Sequence, residues 1–211
     1  MGSDDLHKKR NTNLRKRHSE RETNEVILIV CEGEKTEINY LKQLKDFFRL
    51  SNVRINIISS KKSNPLQIVT FAKGKHKDHS YSKVYCVFDK DTHSTFDEAL
   101  EKCKKYNFEA IVSNPCFEFW ILLHFTYTTA NFHTDNKNSP CDKLISNYLK
   151  THIKDYSKSY KSFAQLIEDK FNQAIENAIK ANKEAEDNNY TSPYTFMYKL
   201  ASKFKELHNA K

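Results

Sequence analysis

At 211 residues, the chain is long enough for one medium domain with a sizeable core, or one domain with a helical extension. It is 38% hydrophobic and 29% charged, its longest apolar stretch, around 119–123, is far too short to span a bilayer, and its Lys/Arg-rich start has no apolar segment behind it, so a membrane span and a secretory signal are excluded and a cytoplasmic, well-solvated protein is expected. A net charge of +8 suits a polyanionic partner, while three glycines, at 2, 33 and 74, are too few and too scattered for a P-loop or a G-x-G-x-x-G turn.

Residues 1–24 carry seven Lys/Arg between Lys8 and Arg21, among them Arg15, Lys16 and Arg17. They read either as a solvated tail or as an arm that grips phosphates. Residues 26–32 form the first predicted strand, an apolar run that stops at Glu32-Gly33-Glu34. A helix opens at Glu34 or Lys35 and runs to about Leu50, with Ile38, Leu41, Leu44 and Phe48 near one face. A second strand covers 53–59. Pro65 sits at the start of a second helix that gives out at Gly74 and a basic loop holding Lys73, Lys75 and Lys77, which with His76 and His79 reads as a phosphate-facing, nucleic-acid-binding or solvated surface rather than a zinc site.

Residues 83–88 (KVYCVF) form a third strand that again ends in acid, Asp89-Lys90-Asp91. A helix over 94–106 and a short strand over 109–112 follow. The alternation predicts an α/β fold, a parallel sheet covered by helices on both faces. Residues 116–125 are nearly all apolar and predict a buried helix, with Asn114 as its cap, Pro115 at its first position and Ser113 as a further capping residue. Residues 126–140 are polar and aperiodic, a long loop or lid. From 141 the chain is helical and amphipathic, apart from a turn at 187–193. The α/β core is thus expected over 25–125 and a helical region over 141–211. Five scattered cysteines, without C-x-x-C or Cys/His zinc spacing, are most simply free thiols in a reducing compartment.

Two strand-to-helix turns concentrate carboxylates: Glu32, Glu34 and Glu37 after the first strand, Asp89 and Asp91 after the third. In parallel sheets the carboxyl ends of strands share one rim, so the two groups can meet. Hard cations such as Mg²⁺ or Mn²⁺ take oxygen ligands of this kind, and two metals about 4 Å apart can clamp both oxygens of a phosphodiester displacement. Glu37 also reads as a complement to the helix macrodipole, and Glu34 as solvated. Glu118, the acid of the apolar helix, is either a rim ligand or a dipole-stabilising residue. Lys35 and Lys90 are candidates to compensate phosphate charge; Lys90 reads equally as solvent-facing. His124, at the end of an apolar helix, reads as a satisfied buried histidine.

The stretch ILIVCEGEKTEINYL, with E-G-x-x-T-E after a strand, then VYCVFDKD, then SNPCFEFWILLHF, resembles Toprim domains of topoisomerases, bacterial primases and overcoming-lysogenization-defect nucleases. The ordered set, with the late NNYTSPYTFMYKL, is similar more specifically to the RloB family over about residues 15–207. That resemblance implies a Toprim-like, Rossmann-related sheet and a metal-dependent nuclease of DNA or RNA. It also implies restriction or abortive-infection loci that defend against phage, often beside an ATPase partner. By position, Glu32 matches the acid/base glutamate, Asp89 and Asp91 the metal-binding D-x-D, and Glu37 a second acid. The alternative expectation is a non-catalytic or conditionally silent subunit that binds nucleic acid or an ATPase. A homo-oligomer stays open, since no dimer interface can be read from the chain.

Overall fold

The computed structural model describes residues 25–90, 94–132, 138–191 and 193–210. Asp91, Arg15, Lys16 and Arg17 lie outside the described residues. The sheet has five strands in the order β2-β1-β3-β4-β5. β1 (Val26–Cys31), β2 (Arg54–Ser59), β3 (Lys83–Asp89) and β4 (Glu109–Asn114) run parallel, and β5 (Tyr194–Thr195) pairs antiparallel with the end of β4. The fold is therefore α/β, as the alternation predicts.

Period-2 alternation along β1 divides the core in two. Ile27, Ile29 and Cys31 face a layer built from α1 (Thr36–Phe47), α4 (Glu118–Leu123), most of α7 (Ala164–Asp187) and α8 (Met197–Asn209). Leu28 and Val30 face α2 (Pro65–Asp78) and α3 (Phe96–Tyr106). Both faces are covered, which is why β1 and β3 read as continuous apolar runs. β1 lies between β2 and β3, so the chain leaves it first to one side and then returns to the other. That makes the carboxyl ends of β1 and β3 the topological switch point, the crevice where open α/β sheets bind ligands.

Four local expectations are corrected. Gly74 does not end the second helix: α2 continues to Asp78, because a Cβ there would meet open space and a single exposed glycine costs only about 1 kcal/mol. Lys73, Lys75 and Lys77 are therefore helical, not in a loop. Asn114 and Ser113 do not cap α4, because both belong to β4, where they pair with Tyr194 and Thr195 and Ser113 Oγ hydrogen-bonds Thr195 Oγ1 at 2.8 Å. The Asn114–Pro115 peptide is cis, and α4 begins at Glu118. The turn expected over 187–193 is present at 188–190 and leads into β5, a strand too short to leave a period.

The cysteines are also corrected: Cys116 and Cys141 form a disulfide, while Cys31, Cys86 and Cys103 are free and buried. The pair is 25 residues apart and meets because the first turn of α5 (Pro140–Leu144), capped by Ser139, packs beside the start of α4. α5 continues through a π-helical stretch, Ile145–Leu149, into α6 (Lys150–His152). Before it, Phe132 packs edge-on against Phe119 and Tyr148.

His124 is fully buried, as its apolar surroundings suggest. Its Nδ1 lies 3.0 Å from the Trp120 carbonyl, which can only accept, so Nδ1 carries the proton and Nε2 accepts from the Tyr40 hydroxyl at 3.0 Å. Burial lowers its pKa to about 4. The unfolded chain, with an ordinary histidine near 6.5, then binds the proton first, so stability is lost as pH falls from about 6.5 towards 4. By pH 5 the loss should reach about 2 kcal/mol. Denaturant titrations at pH 7 and pH 5 should show that extra loss in the wild type and not in His124→Gln.

Candidate metal centre

The switch point is built by the residue that follows β1. The Glu32 N–H donates to the Val87 carbonyl at 2.9 Å, which keeps the chain laddered to β3 one residue past the strand. Its carboxylate Oε2 then accepts the backbone N–H of Asp89 at 3.2 Å. The first acidic turn is thereby fastened to the end of β3, and the two groups that the sequence places 57 residues apart meet.

Gly33 lies close against Glu37. Its N–H donates to Glu37 Oε1 at 3.1 Å, and a Cβ at this position would collide with that carboxylate. Glu37, in the first turn of α1, is buried. Beside it, Thr36 donates its hydroxyl to the Lys158 carbonyl at 2.7 Å, which straps the segment before α7 to the start of α1. On that segment Tyr156 donates to Glu118 Oε1 at 3.0 Å. Glu118 is itself buried, in the first turn of α4.

Glu32, Glu37, Asp89 and Glu118 consequently line one cleft of about 270 Å³, together with Lys35 and Lys158. An adjoining cleft of about 540 Å³ shares Glu32, Asp89 and Lys158 and adds Lys90, Asn114, Phe132 and Cys141. Glu34 also borders the smaller cleft, but it is exposed and pairs with Lys61 at 3.6 Å. Lys73, Lys75 and Lys77 end α2, which runs about 20 Å back from the strand-end rim. They sit at the opposite edge of the sheet from the acids. There Lys73 lies over Tyr106 and bonds its hydroxyl at 3.2 Å, and Lys75 lies over Phe71.

The carboxylates oppose one another. Burial holds the Asp89 carboxyl well above its ordinary range, and Glu118, Glu37 and Glu32 push it further, with Lys158 pulling the other way. Burial likewise raises Glu37 and Glu118 adds to it, against backbone hydrogen bonds and Lys158. Burial and Glu118 raise the Tyr156 phenol. Such a group of hard oxygen donors could hold a divalent cation of the Mg²⁺ or Mn²⁺ kind. Among the described residues the one group of three such donors within 4.8 Å of one another is Cys116, Glu118 and Cys141, and its two sulfurs are bonded together and are not two thiolate ligands; the carboxylates of Glu32, Glu37, Asp89 and Glu118 share the cleft at wider spacing.

Lys158 and Tyr156 were not visible as site residues. They lie in KDYSKSYKS, which has neither helical nor strand periodicity, and only the Thr36 and Glu118 contacts, 122 and 38 residues away, bring them to the acids.

Fold and site together define a mostly parallel α/β protein with an acidic cleft at its switch point. The chain matches the RloB-like protein family over residues 27–204 and belongs to that family. The match takes in Glu32, Glu37, Asp89, Glu118 and Lys158. No curated protein and no solved structure matches the chain.

Asp89→Asn removes a charge that the fold disfavours. A carboxyl whose folded pKa is raised costs stability once pH passes the ordinary value near 3.9, so the cost grows as pH rises through the raised one. In chelator at pH 8 the variant should be more stable than wild type. The gain should shrink towards pH 4 and on adding Mn²⁺, as read by denaturant midpoints.

Proposed function

We propose that the chain is a divalent-metal-dependent nuclease that hydrolyses phosphodiester bonds in DNA or RNA. The observation that carries this reading is the Glu32 carboxylate seated on the Asp89 N–H, with Glu37 and Glu118 lining the same cleft. Strand-end glutamate and aspartate joined at a switch point are also what the resemblance to Toprim domains calls for.

In this reading Glu32, Asp89 and Glu37 hold Mg²⁺ or Mn²⁺, with Asp91 following Asp89 in the chain and Glu118 completing the donor set. Bound there, the cation supplies Lewis-acid polarisation of the phosphoryl group and acidifies water at neutral pH. Glu32, oriented by a backbone donor, takes the proton of the attacking water as it adds to phosphorus. Lys158, Lys35 and Lys90 border the clefts and offset the charge on the non-bridging oxygens as the leaving oxygen departs. The exposed Lys158 side chain is carried by a backbone bonded to Thr36, so its reach into the cleft is set by the α1 strap. The biological setting that goes with this reading is a bacterial anti-phage or abortive-infection system in which the nuclease works beside an ATPase.

Cleavage of DNA and RNA panels with Mg²⁺ or Mn²⁺ tests it. Asp89→Ala should cut at least about a hundredfold more slowly than wild type, since several kcal/mol of charge stabilisation goes with the ligand. Equal cutting by both proteins sinks the assignment. Because Asp89 and Glu37 are held above their ordinary values, protons compete with the cation in a range where free carboxyls would not. Mn²⁺ affinity should therefore weaken as pH falls from 8 to 5, with net proton release on binding. Calorimetry in buffers of different ionisation enthalpy reads both.

A further inference from the structure

The disulfide stands on the wall of the acidic clefts. Cys116 and Cys141 both line the larger cleft with Glu32, Asp89 and Lys158. Cys116 is buried, whereas Cys141, in the first turn of α5, is partly exposed. Cys141 Sγ lies 3.5 Å from Glu118 Oε2, while Glu118 Oε1 takes the Tyr156 hydroxyl at 3.0 Å. A disulfide sulfur has no proton to give, so in the bonded state the sulfur leaves Oε2 to a cation. A Cys141 thiol in the same place donates its S–H to Oε2 and competes with the cation for it.

We propose that Cys116–Cys141 is a reversible thiol–disulfide modification site whose state sets the metal affinity of the cleft through Glu118. The coupling rests on the metal reading above. The co-reactant is a small-molecule thiol of the glutathione class, RSH. Its thiolate attacks the Cys141 sulfur from the cleft, the S–S bond breaks, and Cys116 leaves as a thiolate that takes up a proton. A second RSH attacks the resulting mixed disulfide, which yields RSSR and the Cys141 thiol. Two electrons and two protons pass from the small thiols to the pair, and RSSR as oxidant drives the reverse. Cys31, Cys86 and Cys103 are buried among core side chains of the sheet and α3, so the exchange is confined to this pair.

The test takes the full chain through buffers of reduced and oxidised glutathione at graded ratios. Acid quenching, alkylation and mass spectrometry count thiols, and Mn²⁺ affinity is measured for each form after transfer to thiol-free buffer. The expected result is a reversible gain of two thiols at Cys116 and Cys141, with Mn²⁺ bound roughly three- to tenfold more weakly by the reduced form, the scale of one competing hydrogen bond. Cys141→Ala should bind like the oxidised protein in either buffer. Cys141→Ser, whose hydroxyl still donates to Glu118, should bind like the reduced one. Both thiols labelled in oxidising buffer, a bond that survives every reducing buffer, or equal Mn²⁺ affinity of the two verified forms each overturn the proposal. Equal affinity overturns only this inference, whereas no Mn²⁺ binding by either form overturns the metal reading and this one with it.

Discussion

One hydrogen bond fixes the chemistry-bearing rim of this molecule: the Asp89 N–H given to the Glu32 carboxylate. It joins the first residue beyond β1 to the last residue of β3, the two strands that flank the point where the chain reverses direction across the sheet. With Glu32 held there, the Glu37 carboxylate occupies the space beside Gly33, and a Cβ at that position would push this carboxylate out of its place. Strand end, glycine and first helical turn are thus a single packed unit, and each part would be displaced by changing another.

The same compactness carries an electrostatic cost. Glu118, Glu37 and Glu32 raise the proton affinity of Asp89, Glu118 raises that of Glu37, and Lys158 from a distant segment opposes both. A fold does not keep buried like charges close for stability, since desolvation and repulsion both work against it. Perturbed carboxyls in a cleft at a switch point are where a functional site is to be sought. The Thr36–Lys158 and Tyr156–Glu118 bonds show how the helical part of the chain takes part: the segment leading into α7 closes one side of the cleft and brings Lys158 to it.

The four parallel strands and the helices that cover them were legible because their signals are local. Alternation along β1, apolar continuity in β3 and the Asn64–Pro65 helix start each need only a few neighbouring residues. Asn64 does cap α2, accepting from the Leu66 N–H at 2.9 Å. The misreadings share the opposite property. Asn114 has the chemistry of a cap, and only pairing with Tyr194, 80 residues on, commits it to the sheet. Gly74 has the chemistry of a helix end, and only its open surroundings make it harmless. The lysines at 73, 75 and 77 read as one basic cluster, but helix direction alone carries them to the rim away from the acids.

By itself the sequence determined the α/β class, the positions of the strand ends and the identity of the acids that stand there, Glu32 and Asp89 above all. These follow from side-chain period and turn chemistry, which act over two to four residues. Which acids share a cleft, that Lys158 and Tyr156 join them, and that Cys116 meets Cys141 were decided only by tertiary structure. The partners in those contacts are 25 to 122 residues apart, and their meeting depends on how layers pack on the sheet, which leaves no mark in either neighbourhood.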